Sequence, residues 1–369
     1  MDLDRTKSLM LDATRYFSAS YAEAKERFVS IAKMRGARLL SYPVGRDATL
    51  SIDVAIIGPA DAEQTTVISS GLHGVEGFFG SAAQFAWLDQ ADTDAMKSRV
   101  VLIHAINPYG FANYRRWNED NVDLNRNFHS SVAGYQGSPP SYAALETLLN
   151  PRSPPSRFEP FRLKAIWQIA RMGLPAVKQA VAGGQYEYPQ GVFYGGSASS
   201  ESVRIVQANY VDWIGDSQNV IHLDLHTGLG RHACCKLLLE KPKSDSEYRW
   251  YASTFGDDRV ETKPLEAATG TAYKTSGSFG SWLHELNASR NFRFALAEFG
   301  TYGVLRVLAA LRAENRAHFY ADDNSPCSQR AKAELVECFC PSSDRWRNQV
   351  ISTAVEIIEL ATTAKLEPK

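Results

Sequence analysis

Apolar positions along this 369-residue chain follow two periods, and segments of the two kinds alternate. Leu9, Ala13, Phe17, Tyr21, Ala24, Phe28 and Ile31 fall near helical spacing and predict an amphipathic helix over 9–35. Short apolar runs at 39–43, 52–57 and 65–70 read as strands. Residues 77–89 read as a helix, and 100–105 as a strand ending just before Asn107-Pro108. Strand, helix, strand is the βαβ signal of a mostly parallel sheet. Strands resume at 220–225, 235–239 and 292–297, and helices near 303–320 and 345–364 close the chain. The expected fold class is α/β: a mixed, mostly parallel sheet with helices on both faces.

One stretch interrupts the alternation. Residues 130–157 are rich in Ser, Pro and Gly and read as a loop; 158–182 look helical, and Gly183-Gly184 stop them. The organisation expected is a single catalytic domain over 1–369, with an excursion from the core at about 130–200. No internal repeat or low-complexity tract is present.

Composition narrows the partners. Net charge is -1 and there is no basic block, so neither nucleic acid nor an anionic membrane is expected. The N-terminus has no apolar core of a secretory signal, and no run has the length of a transmembrane helix. The five cysteines are an odd number. Cys338 and Cys340 lack a second pair to close a four-ligand metal site, so reduced thiols in a cytoplasm are expected. Oligomeric state has no signature here.

Chemistry concentrates at predicted strand ends, where α/β sheets gather function. His73-x-x-Glu76 follows the strand at 65–70 and puts two ligands on a turn leading into a helix. A third ligand should come from a distant strand, and His226 in Asp224-Leu-His226-Thr-Gly is the best candidate. Three protein ligands leave an open position, the mark of a catalytic zinc site. His222 competes for the role, being two steps of period two from His226 on the same strand face; it also reads as a core histidine. Metal-bound imidazoles need a partner on the outer nitrogen. Asp123 is a candidate for His73; Asp224 has a similar part or merely lines its strand. Asn125 and Arg126 suit one carboxylate, and Arg116 suits a carbonyl or oxyanion; its neighbour Arg115 reads as exposed. Glu298 ends an apolar strand, where an acid has either a partner or a function, and it is the candidate general base.

These residues together resemble the zinc carboxypeptidase superfamily, including its aspartoacylase and succinylglutamate desuccinylase branch, from about residue 65 to 300. The resemblance implies a fold of that phosphorylase/hydrolase-like type and one zinc ion on His73, Glu76 and His226. It implies Asn125 and Arg126 on the substrate's terminal carboxylate, Arg116 on its carbonyl, and Glu298 as base. The stretch Tyr273-Lys-Thr-Ser276-Gly277-Ser-Phe-Gly-Ser-Trp282 looks like the segment with the mobile capping tyrosine. That puts Tyr273 on the cap and Gly280 near the base of the side-chain pocket. Val75 stands where the digestive enzymes carry Arg, and the 130–200 excursion matches neither branch. The chain thus looks like a subgroup without an assigned substrate. The expectation is a zinc-dependent hydrolase of an amide beside a free carboxylate, in a small peptide or an N-acyl amino acid. The alternative is an aspartoacylase- or desuccinylase-like deacylase or esterase of small acylated metabolites. A non-catalytic zinc-binding protein would need neither Glu298 nor Arg116.

Overall fold

The structure is a computed structural model and describes residues 12–46, 49–156, 158–173, 177, 183–239, 246–262 and 276–366. Eight strands form one sheet: β1 (Arg38–Pro43), β2 (Ser51–Ile57), β3 (Gln64–Ser70), β4 (Arg99–His104), β5 (Asn219–Gly228), β6 (Cys235–Leu239), β7 (Val260–Thr262) and β8 (Asn291–Gly300). Their order is β1-β2-β4-β3-β5-β8-β6-β7. The four central strands, β4, β3, β5 and β8, run parallel. The β1–β2, β2–β4 and β6–β8 pairings are antiparallel. The mixed sheet is the expected one. β7 escapes a pattern reading because three residues carry no period.

β3, β4 and β5 are buried almost end to end, as strands covered on both faces must be. One face packs under the helices Tyr21–Met34, Gly77–Gln90, Val304–Tyr320, Pro326–Phe339 and Asp344–Thr363. The other packs under Glu201–Ile214 and Phe279–Leu286, through Tyr210, Trp213, Phe279 and Trp282. Helix Gly77–Gln90 is apolar nearly all round because it lies between the sheet and outer helices. The terminal helix buries Trp346, Val350, Ala354, Ile357, Ile358 and Ala361 along one stripe, and Ser343 caps it by accepting from Trp346 N.

Three expectations change. The first helix is not continuous over 9–35: a 3-10 turn spans Ala13–Tyr16 and the helix begins at Tyr21. Ser20 caps it by accepting from Glu23 N, and the Glu23 carboxylate accepts from Ala19 N, so the chain must leave helical geometry there. Residues 1–11 lie outside the description. The loop expected at 130–157 holds a helix at Pro140–Leu149, started by its proline and anchored by Tyr142, Leu145 and Leu149. The helix expected over 158–182 is described at Phe161–Met172.

Candidate metal centre

His73 stands just past the end of β3, after Gly71, whose φ of +67° turns the chain out of the strand. His73 precedes the 3-10 turn Gly74–Glu76. That turn is braced from outside: Gly74 N donates to Arg116 O at 3.1 Å and Val75 N to Arg115 O at 2.8 Å. Asn107 locks the brace. Its Oδ1 accepts from Gly110 N and its Nδ2 donates to Arg116 O. A Cβ on Gly74 would meet Gly110 C at 2.2 Å, so the two turns interlock only because position 74 is glycine, and a Cβ on Gly110 would in turn meet Trp117 O at 2.6 Å. The Asn-Pro-x-Gly run is therefore the scaffold of the site.

His226 lies near the end of β5, two strands from β4 and next to β3. The fold brings its ring to the turn at 73–76. His73 Nδ1 is 2.8 Å from Glu76 Oε1, and His226 Nδ1 is 2.9 Å from Glu76 Oε2. The ligand atoms of the three residues all lie within 4.8 Å of one another, and all three residues are buried. The outer nitrogens face aspartates: His226 Nε2 is 2.6 Å from Asp224 Oδ2, and His73 Nε2 is 3.2 Å from Asp123 Oδ1. Burial opposes ionisation of His226, but Asp224 and Glu76 outweigh it and hold that imidazole well above its usual range. Burial likewise opposes the charge on Glu76, yet the two imidazoles keep its carboxyl below the usual range. The cluster is thus a place where positive charge is favoured. Two inward imidazole nitrogens, one carboxylate and carboxylates behind both rings fit a divalent cation of the zinc class.

His222 does not compete. It is four residues back along β5, roughly 13 Å at strand rise, and its ring meets Ser69 and Tyr210. Burial depresses it to about 3, so it is neutral.

Arg116 lies beside the cluster. Its Nε donates to Asp123 Oδ2 at 3.0 Å, and its Nη2 is 2.7 Å from His73 Nε2. A guanidinium only donates, so that contact and donation from His73 Nε2 to Asp123 exclude each other. Burial opposes ionisation of Asp123 too, but Arg116, His73 and Arg126 keep it well below the usual carboxylate range. Asp123 also opens the turn Leu124–Arg126 by accepting from Asn125 N. Asn125 Oδ1 accepts from Phe279 N at 3.0 Å, which leaves its NH2 end as the presented donor. Arg126 is fully buried, and its Nη1 donates to Asn125 O.

Glu298 ends the apolar run of β8 and pairs in register with His226. Its Oε1 accepts from Leu229 N at 2.7 Å. Burial first, and the Glu76 charge second, push its carboxyl up to about 7, against the pull of His226 and Arg116. Gly280 faces Phe294: a Cβ there would lie 2.4 Å from that ring, so the glycine lets helix Phe279–Leu286 sit close on β8. Tyr273 lies outside the described residues.

Two contributions have no local signal. Arg115, expected on the surface, is 1% exposed. Its Nε donates to Glu314 Oε1 at 2.8 Å, and its Nη2 to Asn121 and Asn315. The pair ties the brace of the 73–76 turn to helix Val304–Tyr320. Arg115→Leu should strand Glu314 and cost about 3–5 kcal/mol in urea unfolding; a change under about 1 kcal/mol would mean the pair holds nothing. The second contribution comes from the excursion. Phe193 lies under the Arg116 guanidinium, 5.5 Å from ring centre to Cζ. Tyr194 O accepts from Asp123 N, and Tyr186 OH donates to Arg126 O at 2.7 Å. Gly184, at φ +94°, touches the Arg126 stem so closely that a Cβ would lie 2.6 Å from Cδ. Both guanidiniums are backed by residues 184–194.

All five cysteines are free thiols. Among the described residues no helix is long and apolar enough to cross a membrane.

A family model described as "Protein of unknown function (DUF2817)" matches residues 17–353. No curated protein matches the chain. Among solved structures, it is similar to the murein-tripeptide amidase MpaA from Escherichia coli O157, at 18% identity and TM-score 0.39 over 76% of this chain and 94% of that one. It is similar to carboxypeptidase A from Helicoverpa armigera, at 13% identity and TM-score 0.45 over 86% and 73%. A metallo-carboxypeptidase from Burkholderia cenocepacia is similar at 10% identity and TM-score 0.44 over 94% and 70%.

Proposed function

We propose that this chain, which belongs to the DUF2817 family, is a zinc-dependent hydrolase of an amide bond beside a free carboxylate. Its substrate class is a small peptide or an N-acyl amino acid. The observation that carries the reading is one convergence. Three inward ligands, His73, Glu76 and His226, share a buried site with a carboxyl poised near neutrality on the adjacent strand. A binding site alone has no use for that acid.

When bound, zinc supplies a Lewis acid for the scissile carbonyl and the attacking water. The rest falls to the chain. Glu298 takes a proton from the water and delivers it to the leaving nitrogen. Arg116 donates to the oxygen that gains charge. The NH2 of Asn125 and the guanidinium of Arg126 hold the substrate carboxylate and so set which bond reaches the centre.

The test is a matched panel of N-acyl amino acids and dipeptides with free or amidated carboxyl ends. Amidation should lower kcat/KM by roughly 10² or more, because it leaves a buried guanidinium without its anion. Arg126→Ala should erase that preference. Equal cleavage of acid and amide by the native protein would sink the reading in favour of a general amidase or esterase.

A further inference from the structure

A file of hydrogen bonds crosses the β3–β5 seam behind the candidate metal centre. Ser69 and Asp224 are register partners on the two parallel strands, and their side chains share a face with His222 and His226. Asp224 Oδ2 lies 2.6 Å from His226 Nε2, and Asp224 Oδ1 accepts from Ser69 Oγ at 2.6 Å. Ser69 Oγ lies 2.8 Å from His222 Nε2. His222 Nδ1 lies 2.9 Å from the hydroxyl of Tyr210, on helix Glu201–Ile214. All five side chains are buried.

Proton accounting gives this file one direction. The Ser69 hydroxyl donates to Asp224 Oδ1, so its single proton is spent there. Ser69 then accepts from His222, which must carry its proton on Nε2. The bare Nδ1 of His222 accepts from the Tyr210 hydroxyl. Burial holds that phenol protonated and His222 neutral, so each end of every bond has its needed form. At the other end, Asp224 has one oxygen engaged by Ser69 and turns the other to His226. That keeps a proton on His226 Nε2 and leaves Nδ1, which faces Glu76 at 2.9 Å, as the nitrogen that would give up its proton to a metal.

We infer that Ser69, His222 and Tyr210 are positioning residues that set metal affinity by locking the orientation of Asp224, and through it the tautomer and rotation of the His226 ring. The inference rests on His226 being a metal ligand. It gives His222 a task at the site without any contact to the metal. It also explains a polar stripe of His222, Asp224 and His226 on a strand whose other face is Ile221, Leu223 and Leu225.

The test reads zinc binding by chelator competition and the visible spectrum of the cobalt-substituted protein, so it needs no substrate. Ser69→Ala should weaken zinc binding by roughly 10–100-fold and shift the cobalt bands, while Ser69→Thr, which keeps the hydroxyl, restores both. Tyr210→Phe removes one oxygen and leaves the ring packed. It should weaken binding measurably and serves if Ser69→Ala does not fold. Native affinity and an unchanged spectrum in folded Ser69→Ala or Tyr210→Phe would overturn the inference. A native protein that binds no zinc, or whose zinc survives His226→Ala, would instead remove the metal reading on which it stands.

Discussion

Glu298→Gln is expected to lower turnover by roughly 10²–10⁴ while leaving the metal in place. The amide is nearly isosteric, and its oxygen still accepts from Leu229 N, so the end of β8 and its pairing with β5 should persist. What disappears is the proton acceptor. The same residue predicts a pH dependence. A base works deprotonated, so kcat/KM should fall as pH drops through its pKa. Burial and the Glu76 charge raise that carboxyl to about 7. A dication on the neighbouring ligands favours the carboxylate and moves the acid limb downward from there. Activity should therefore climb from acid toward neutral pH in the native protein, and Glu298→Gln should lose that limb together with the rate. The measurements are kcat/KM against pH and metal content of the same preparations. Undiminished turnover by the variant on any cleaved substrate would take Glu298 out of the mechanism.

His73→Ala should remove most of the metal from a protein expected to bind about one equivalent of zinc. The expected loss is large because the three ligands are not interchangeable with surface groups. His73 Nδ1 is held toward Glu76 by its place at the end of β3, and its outer nitrogen is flanked by Asp123 Oδ1 at 3.2 Å and Arg116 Nη2 at 2.7 Å. With the ring gone, Glu76 and His226 remain as a two-ligand site. Elemental analysis after dialysis against a weak chelator decides the matter, with circular dichroism to confirm the fold. Full occupancy in His73→Ala would place the metal elsewhere.

The two periods in the sequence led to most of the sheet. Runs such as Val100-Val101-Leu102-Ile103 are strands because burial on both faces leaves no alternation to misread. The helices at 201–214 and 326–339 stand outside that reading although each buries one stripe, Val203, Val206, Tyr210 and Trp213 in the first and Ser328, Ala331, Leu335 and Cys338 in the second, and the 9–35 helix was overdrawn because its period continues across a cap. The cap at Ser20 is a hydrogen-bond event, which hydrophobic spacing does not register.

By itself the sequence determined most of the central strands and the reactive groups next to their ends, since both are written in neighbouring residues. His73, Glu76, His226 and Glu298 could be picked out because each follows or closes an apolar run. Only the tertiary structure decided that β5 lies between β3 and β8, which brings residues 73, 226 and 298 to one place. It decided that His222 faces Ser69, that Arg115 is buried on Glu314, and that residues 184–194 of the excursion back both arginines. Those facts depend on which strands pair, in what register, and on what closes over them. They are set by the summed burial of segments far apart in the chain, and no local pattern encodes them.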